Sequence, residues 1–355
     1  MKKIERNSSI ELLRIMAMFF IVLSHCSVHG MSGLTSQYIY NNVVNNIFSL
    51  GNLGVVIFVI ITGYYYIGKE IKFKKILFIE SQILFYSILF YILSALINHD
   101  NVFSLNLLKS CFPIIFRKYW FMTAYISLFI FIPFINKFLK ILSKKEYTFL
   151  VLLMIIVGFI IPTLTTSDLY FNELFQFFSF YFIGGYIKQN VEIIKYNKKC
   201  RILLISLLCF LVLSNVIIEI CICNLSLNPN YGTYFFNRNS IFILVVAICI
   251  FIIFLNIPQF YNKHINLLSS TMFGVYLIHD NNDFRNILWH KIFKLDIYID
   301  KSYLFIVLIT SAILIFIICV LLEFIRKKTL DNLVNSIINK IENISIKVYS
   351  FLNVR

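Results

Sequence analysis

Charged residues are scarce in this chain. Asp, Glu, Lys and Arg make up 14% of its 355 residues, whereas hydrophobic residues make up 59%. A soluble domain carries nearly twice that charge, at about 25%, so this composition excludes an ordinary soluble protein. Apolar runs of about 18 residues or more recur along the chain, and runs of that length can span a bilayer. We therefore predict an all-α polytopic membrane protein, a helical bundle embedded in the lipid bilayer.

Several patterns that would indicate other functions are missing. The eight cysteines lie singly in apolar runs or as Cys221-x-Cys223, so the sequence has neither a zinc spacing nor a disulfide framework, and we expect no metal. It has no Gly-rich phosphate loop, no Gly-x-Ser-x-Gly elbow, no internal repeat and no room for a separate soluble domain. Basic cytoplasmic loops account for the net charge of +15, so we expect no nucleic-acid partner.

The apolar runs predict about ten spans and an orientation. The spans are predicted at residues 9–29, 47–67, 76–97, 119–136, 147–166, 172–188, 202–223, 239–256, 266–283 and 302–324. With the N-terminus inside, 23 of the 32 Lys and Arg residues fall in cytoplasmic segments and 8 in outer segments, while Arg14 lies within a span. This excess predicts that both termini are cytoplasmic. Residues 1–328 are predicted to form the membrane domain, and residues 329–355 an amphipathic helix on the inner surface.

The first span carries Arg14 and His25, and an ionisable residue inside a span indicates a functional site. The two residues are eleven positions apart, which makes about three turns plus 20°, so both side chains project from one helix face, about 16 Å apart along the axis. Glu11 is placed to pair with Arg14 at i, i+3, and Ser8 with Glu11 matches a capping box. Arg14 is predicted near the inner side and His25 near the outer surface.

Further candidates lie on other segments. Lys72, Lys74 and Lys75 follow the second span on the predicted cytoplasmic side, where they could bind the phosphates of a nucleotide-like cofactor or anchor the chain at anionic lipid. His279, in the ninth span, suits either a chemical or a structural role. His29, at the edge of a loop, is expected to be solvated.

Four more features bear on helix packing, on the outer face and on the end of the last span. Gly63, at the end of the second span, is expected to allow close helix packing. The basic pair Arg117-Lys118 lies on the predicted outer side, where it could meet an anionic glycan or a lipid phosphate. The uncharged loop at residues 31–46 could contact sugar hydroxyls or rest on lipid headgroups. Glu323 closes the last span just before Arg326-Lys327-Lys328, and its carboxylate could serve the site or reach into these three basic residues.

Taken together, these residues resemble the transmembrane acyltransferase 3 family over residues 9–325. The likeness lies in Glu11-Leu-Leu-Arg14 with His25, Phe58 to Tyr64, Tyr119-Trp120-Phe121 with Tyr125 and Pro133, Gly274 to His279, and Glu323. The resemblance implies an enzyme of the bacterial cell membrane that moves an acyl group, mostly acetyl, from cytoplasmic acyl-CoA to a hydroxyl of a surface or lipid-linked glycan. We expect no extracytoplasmic hydrolase-like domain of the kind some members carry, so the protein is expected to act alone or with a separate partner, such as a polysaccharide-synthesis protein.

The resemblance also gives the candidate residues roles. His25 would act as base or as transient acyl carrier, with His279 and Glu323 as further catalytic candidates. Arg14 would hold the thioester end of acetyl-CoA, and Lys72, Lys74 and Lys75 would bind its phosphates. Two other classes stay open at this point: a polysaccharide exporter or flippase, and a non-catalytic partner in a glycan-synthesis complex.

Overall fold

The computed structural model describes residues 6–165, 173–194 and 198–352, and within these ranges the chain forms helices and no β-strand. The predicted all-α architecture is confirmed. The α-helices are α1 (Ser8–Val28), α2 (Ile39–Phe48), α3 (Gly51–Tyr66), α4 (Phe73–Asn98), α5 (Leu105–Cys111), α6 (Trp120–Ile141), α7 (Lys144–Ile155), α8 (Ile161–Thr165), α9 (Glu173–Gln189), α10 (Val191–Ile194), α11 (Lys198–Leu225), α12 (Ile241–Leu255), α13 (Lys263–Ser269), α14 (Met272–His279) and α15 (Leu304–Leu352).

Eight helical segments in the described ranges are long and apolar enough to cross a membrane, namely Ser8–Val28, Ile39–Tyr66, Phe73–Asn98, Trp120–Ile141, Lys144–Thr165, Lys199–Leu225, Pro229–Leu255 and Leu304–Ile344. They match eight of the ten predicted spans. The other two are shorter helices: α9 has 17 residues, and the predicted ninth span is broken into α13 and α14, with 7 and 8 residues. The chain is a multi-pass helical membrane protein, and the count of ten spans stays a prediction.

Large apolar side chains cover the outside of several helices. On α11 and α15, side chains that are more than half exposed include Ile202, Ile205, Leu213, Ile217, Ile306, Leu314, Leu321 and Ile325. Soluble proteins rarely expose apolar patches of this extent. These surfaces are suited to contact with lipid chains, as the composition predicts.

The second span begins earlier than predicted. The polar residues before position 47 suggested a loop, but α2 already forms there and leads into α3 after a short break at Ser49 and Leu50. Its asparagine side chains form hydrogen bonds with other segments of the chain rather than with solvent. Asn41 is buried, for example, and its Nδ2 donates to the carbonyl of Ile299 at 2.8 Å.

Helix α1 contacts α3, α12, α13, α14 and α15, so most of the elements of the site pack around it. Its N-cap residue is Asn7, whose side-chain oxygen accepts from the backbone N–H of Ser9 at 3.1 Å. The predicted capping box is therefore wrong. Ser8 lies inside the helix, where its hydroxyl donates to Asn266 Oδ1 at 2.9 Å. Glu11 is thereby free to bind other groups.

Helices α3 and α9 cross at glycines, as the sequence predicted for Gly63. A Cβ at Gly63 would lie 2.2 Å from the carbonyl oxygen of Tyr181, and a Cβ at Gly184 would lie 2.2 Å from that of Ile60. Small residues let two helix backbones approach this closely. The crossing holds α3 firmly against the rest of the bundle.

Helix α15 continues from the last span into the tail without a break, over 49 residues. The helix predicted for the tail, residues 329–355, thus follows directly on the helix of the last span over the described residues. Ile338 is buried, and Lys74 on α4 donates to Asn339 Oδ1. The tail thus packs beside the start of α4.

We expect Gly63→Ala to destabilise the fold by about 1–3 kcal/mol, because the new methyl group overlaps a backbone oxygen that cannot rotate away. Thermal melting of the detergent-solubilised protein would show a lower Tm. Gly158→Ala is the matched control, because a Cβ there lies 3.1 Å from the ring of Phe175, which can shift. Equal Tm values for Gly63→Ala and wild type would contradict the close crossing.

Candidate active site

The N-terminal end of α1 holds an ion pair. Arg14 Nη1 donates to Glu11 Oε1 at 2.7 Å, as predicted from their spacing. The other oxygen of the buried Glu11 accepts a hydrogen bond from the hydroxyl of Ser269, the last residue of α13. The break between α13 and α14 follows at once, and Lys327 Nζ donates to the carbonyl of Ser270 at 3.1 Å. Polar contacts of this kind make broken backbone tolerable inside a membrane protein.

Aromatic rings connect Arg14 to the lysines at the same end. The Arg14 guanidinium lies 5.7 Å from the centre of the Tyr65 ring, and Lys69 Nζ lies 5.9 Å from the same ring. Lys75 Nζ lies 4.2 Å from the centre of the neighbouring Tyr66 ring. Cations are attracted to the ring face at these distances. We call Arg14, Lys69 and Lys75 with these two tyrosines the basic cluster.

The other two predicted lysines lie at the edge of this region. Lys72 is exposed and directly precedes α4. Lys74 contacts Asn339 of the tail helix. The structure therefore brings Arg14 and Lys75 together, with Lys72 and Lys74 at the start of the same helix as Lys75.

The C-terminal end of α1 holds a cluster of three histidines and one carboxylate. The ring centre of His25 lies 4.7 Å from that of His29 and 5.0 Å from that of His279. His29 Nε2 donates to Asp280 Oδ1 at 3.1 Å, and His25 Nδ1 lies 3.7 Å from the same oxygen. Arg285 Nη1 lies 3.5 Å from that oxygen as well. We call these five residues the histidine cluster.

Backbone geometry fixes the tautomer of His279. Its Nδ1 lies 2.6 Å from the carbonyl oxygen of Val275, which can only accept, so Nδ1 carries the proton. In the neutral ring, Nε2 then has a free lone pair. Within the described part of the chain, this Nε2 and the Nδ1 of His25 are buried without a hydrogen-bond partner. His279 Nε2 is therefore an available basic nitrogen, and His25 Nδ1 is a second buried nitrogen without a hydrogen-bond partner, 3.7 Å from the Asp280 carboxylate.

A hydrogen-bond network holds the segment after α14 in place. Tyr119 is buried; its hydroxyl donates to the carbonyl of Leu277 at 3.1 Å and accepts from Asn281 Nδ2 at 2.5 Å. Lys118 Nζ donates to both oxygens of Asp283 at 2.9 Å. These contacts fix the turn that carries Asp280. The predicted basic residue Lys118 thus has a structural partner.

His25, His29 and Asp280 offer ligand atoms that all lie within 4.8 Å of one another, which is compact enough for a metal ion. Arg285 argues against this use, because its guanidinium lies 3.5 Å from Asp280 and 3.4 Å from His29. A guanidinium already supplies positive charge there and would repel a divalent cation. Electrostatics therefore favour a proton-handling cluster over a metal centre.

Glu323 lies in a buried ion pair of its own. Its carboxylate accepts two hydrogen bonds from Arg326 at 2.8 Å each and one from the hydroxyl of Tyr86 at 2.8 Å. A Cβ at Gly274 would lie 2.2 Å from the Glu323 carboxyl carbon, so α14 packs directly on this group. These contacts favour the alternative in which Glu323 joins the basic residue beside it. Its catalytic role stays a prediction.

Sequence reasoning missed three members of the histidine cluster. His29 was expected to be solvated, and this is wrong, because only 21% of its side chain is exposed and it binds Asp280. Asp280 and Arg285 were not singled out as site residues. Asp280 follows His279 directly, which was the one local signal. The contact between residues 29 and 280 could not be read from spacing.

Comparison with known proteins assigns the chain to a family. A family model described as an acyltransferase domain, acyltransferase 3, matches residues 7–325. The chain belongs to the acyltransferase 3 family. It is therefore an acyltransferase of the multi-pass membrane type. A search of the curated proteins and a search of the solved structures each found no match.

We expect Glu323→Gln to destabilise the protein by about 1–3 kcal/mol, because it removes one of the two carboxylates paired with the buried Arg326, while Asp331 at 3.0 Å remains. The thermal melting temperature of the purified protein measures this. Glu70→Gln, at an exposed position, is the control and should melt like wild type. A Glu323→Gln protein that melts normally and transfers no acyl group would instead place Glu323 in the chemistry.

Proposed function

We propose that this protein is an O-acyltransferase of the bacterial cell membrane that moves an acetyl group from cytoplasmic acetyl-CoA to a hydroxyl of a cell-surface or lipid-linked glycan. One observation carries the proposal. A single helix, α1, presents Arg14 in the basic cluster at one end and His25 in the histidine cluster at the other. The two residues are separated by eleven positions, or about 16 Å along the axis.

The basic cluster suits the acyl donor. CoA carries several phosphates, and lysine and arginine are the side chains that bind phosphate. Lys72 and Lys75 lie at the start of α4, on the side that the distribution of Lys and Arg predicts to be cytoplasmic. In this proposal, Lys72, Lys74 and Lys75 bind the phosphates, while Arg14 directs the thioester end along α1 toward His25.

The histidine cluster suits the transfer itself. A sugar hydroxyl is too weakly acidic to react at neutral pH without a base, and histidine is the usual base. In direct transfer, the imidazole of His25 takes the hydroxyl proton while the oxygen attacks the thioester carbonyl. The C–S bond then breaks, and the CoA thiolate takes up the proton. In the covalent alternative, His25 first accepts the acetyl group and then passes it to the hydroxyl.

Asp280 and His279 complete the proposed machinery. Asp280 Oδ1 lies 3.7 Å from His25 Nδ1, so its negative charge stabilises the imidazolium that forms when His25 accepts a proton. His279 presents an unprotonated Nε2 in the same cluster, which makes it the second candidate for the base. Arg285 Nη1 lies 3.5 Å from Asp280 Oδ1 and adds positive charge beside this carboxylate.

We expect His25→Ala to lower O-acetyl transfer by at least about 100-fold, the usual contribution of a general base. The O-acetyl content of the host's surface polysaccharide measures this, with wild type and variant each supplied to a deletion strain at matched membrane levels. His264→Ala, an exposed histidine outside the cluster, is the control. Full acetylation by His25→Ala would remove His25 from the chemistry. Unchanged acetylation in the deletion strain, with less polysaccharide at the surface, would favour an exporter or scaffold.

We expect replacement of both Lys72 and Lys75 by Gln to weaken CoA binding by about tenfold, or about 1.4 kcal/mol, with a loss that shrinks as salt is added. Calorimetric titration of CoA into the purified protein measures the Kd. Lys109→Gln removes an exposed lysine outside the basic cluster and should leave the Kd unchanged. Equal CoA affinity in the double variant and in wild type would contradict a role of these lysines in CoA binding and would favour their role as anchors at anionic lipid.

A further inference from the structure

A polar cleft opens at the same end of the bundle as the histidine cluster. Its volume is about 760 Å³, within the range of small-molecule sites, about 300–1,000 Å³. It lies where α3, α9 and α12 begin, together with the 3₁₀ segment Pro229–Phe236. None of the residues that line it takes part in the chemistry described above.

The lining of the cleft is rich in side-chain amides, namely those of Asn52, Gln176, Asn228, Asn230, Asn237 and Asn239. An amide group offers both donors and acceptors. A sugar hydroxyl also donates and accepts, so each amide can match one hydroxyl in either direction. An acyl chain or a lipid tail would find few apolar surfaces here. The chemistry therefore favours a saccharide.

A stacked pair forms a rigid wall of this cleft. The guanidinium of Arg238 lies 4.4 Å from the centre of the Trp120 ring, and its Nε donates to Gln176 Oε1 at 2.5 Å. The hydroxyl of Tyr234 donates to the carbonyl of Thr163 at 2.6 Å. Groups held in place before binding lose little conformational entropy when a ligand arrives. Tyr231, half exposed, adds an aromatic face.

Two chain segments connect the cleft with the histidine cluster. Gly51 packs on Ser24, the residue before His25, and the next residue, Asn52, lines the cleft. In the segment at residues 117–120, Arg117 lines the cleft while the neighbouring Tyr119 binds Leu277 and Asn281 beside the cluster. A ligand in the cleft therefore sits against the same backbone that positions the proposed base.

We propose that this cleft binds the saccharide acceptor and presents one of its hydroxyls toward the histidine cluster. That the bound saccharide is the acceptor rests on the proposed function, whereas saccharide binding itself rests on the cleft alone. It assigns Tyr231 and Asn230 to acceptor recognition and leaves CoA binding to the opposite end of α1. Variants in the cleft should therefore affect the glycan and not the donor.

The test uses the full-length protein and oligosaccharides released from the host's surface polysaccharide, with their O-acetyl groups removed by mild alkali. Tyr231→Ala should raise the KM for these oligosaccharides by about tenfold, which corresponds to a loss of about 1.4 kcal/mol of binding free energy. The kcat and the Kd for CoA should stay within about twofold of wild type. Asn230→Ala, a second exposed position in the cleft, should act in the same direction. Tyr40→Ala is the matched control, since Tyr40 is 58% exposed against 50% for Tyr231 and lies outside the cleft lining.

A binding measurement separates the two proposals. The same oligosaccharides are titrated while tryptophan fluorescence is followed; the chain has two tryptophans, and Trp120 stacks on Arg238 of the cleft while Trp289 is buried. Binding that Tyr231→Ala weakens, with no acetyl transfer by wild type, would support the cleft and overturn the proposed function. Transfer with an unchanged KM in both cleft variants would overturn the cleft and support the proposed function.

Discussion

The burial of charge in an apolar environment governs this molecule. An ionised side chain within a membrane protein has to find partners, because its desolvation costs several kcal/mol. Helix α1 meets this constraint at both ends. Glu11, Arg14 and Ser269 satisfy each other at one end, and Asp280 with His29 and Arg285 does so at the other. The positions of α13, α14 and the following turn depend on these contacts.

The sequence predicted the fold well where the signal is local. The apolar runs indicated a helical membrane bundle, and the i, i+3 spacing gave the pair of Glu11 and Arg14. The predicted capping box is wrong because Asn7, one residue before Ser8, occupies the N-cap position. The start of α2 was predicted too late, because its asparagines are typical of loops and their distant backbone partners are not visible in the sequence. Propensity carries no information on such contacts.

The candidate site was predictable only in part, for the same reason. Arg14 and His25 share one helix, so geometry placed them on one face. His29 and Asp280 lie 251 positions apart, and no periodicity links them. Glu323 matched a family pattern, yet its surroundings were set by Tyr86 and Arg326. Long-range pairs of this kind can be identified only in the folded chain, because the topology, and not the local sequence, brings the two residues together.

Helix α15 contacts both ends of the helical bundle. At one end Phe305 packs on Phe48 of α2, with ring centres 5.3 Å apart, and near the other end Asn339 meets Lys74 beside the basic cluster. An unbroken helix of 49 residues behaves as a stiff strut, since sharp kinks require a proline, a bulge or an inserted group. A sliding or tilting movement at the end of α15 beside the basic cluster would therefore be carried along the helix to its contact with Phe48 on α2.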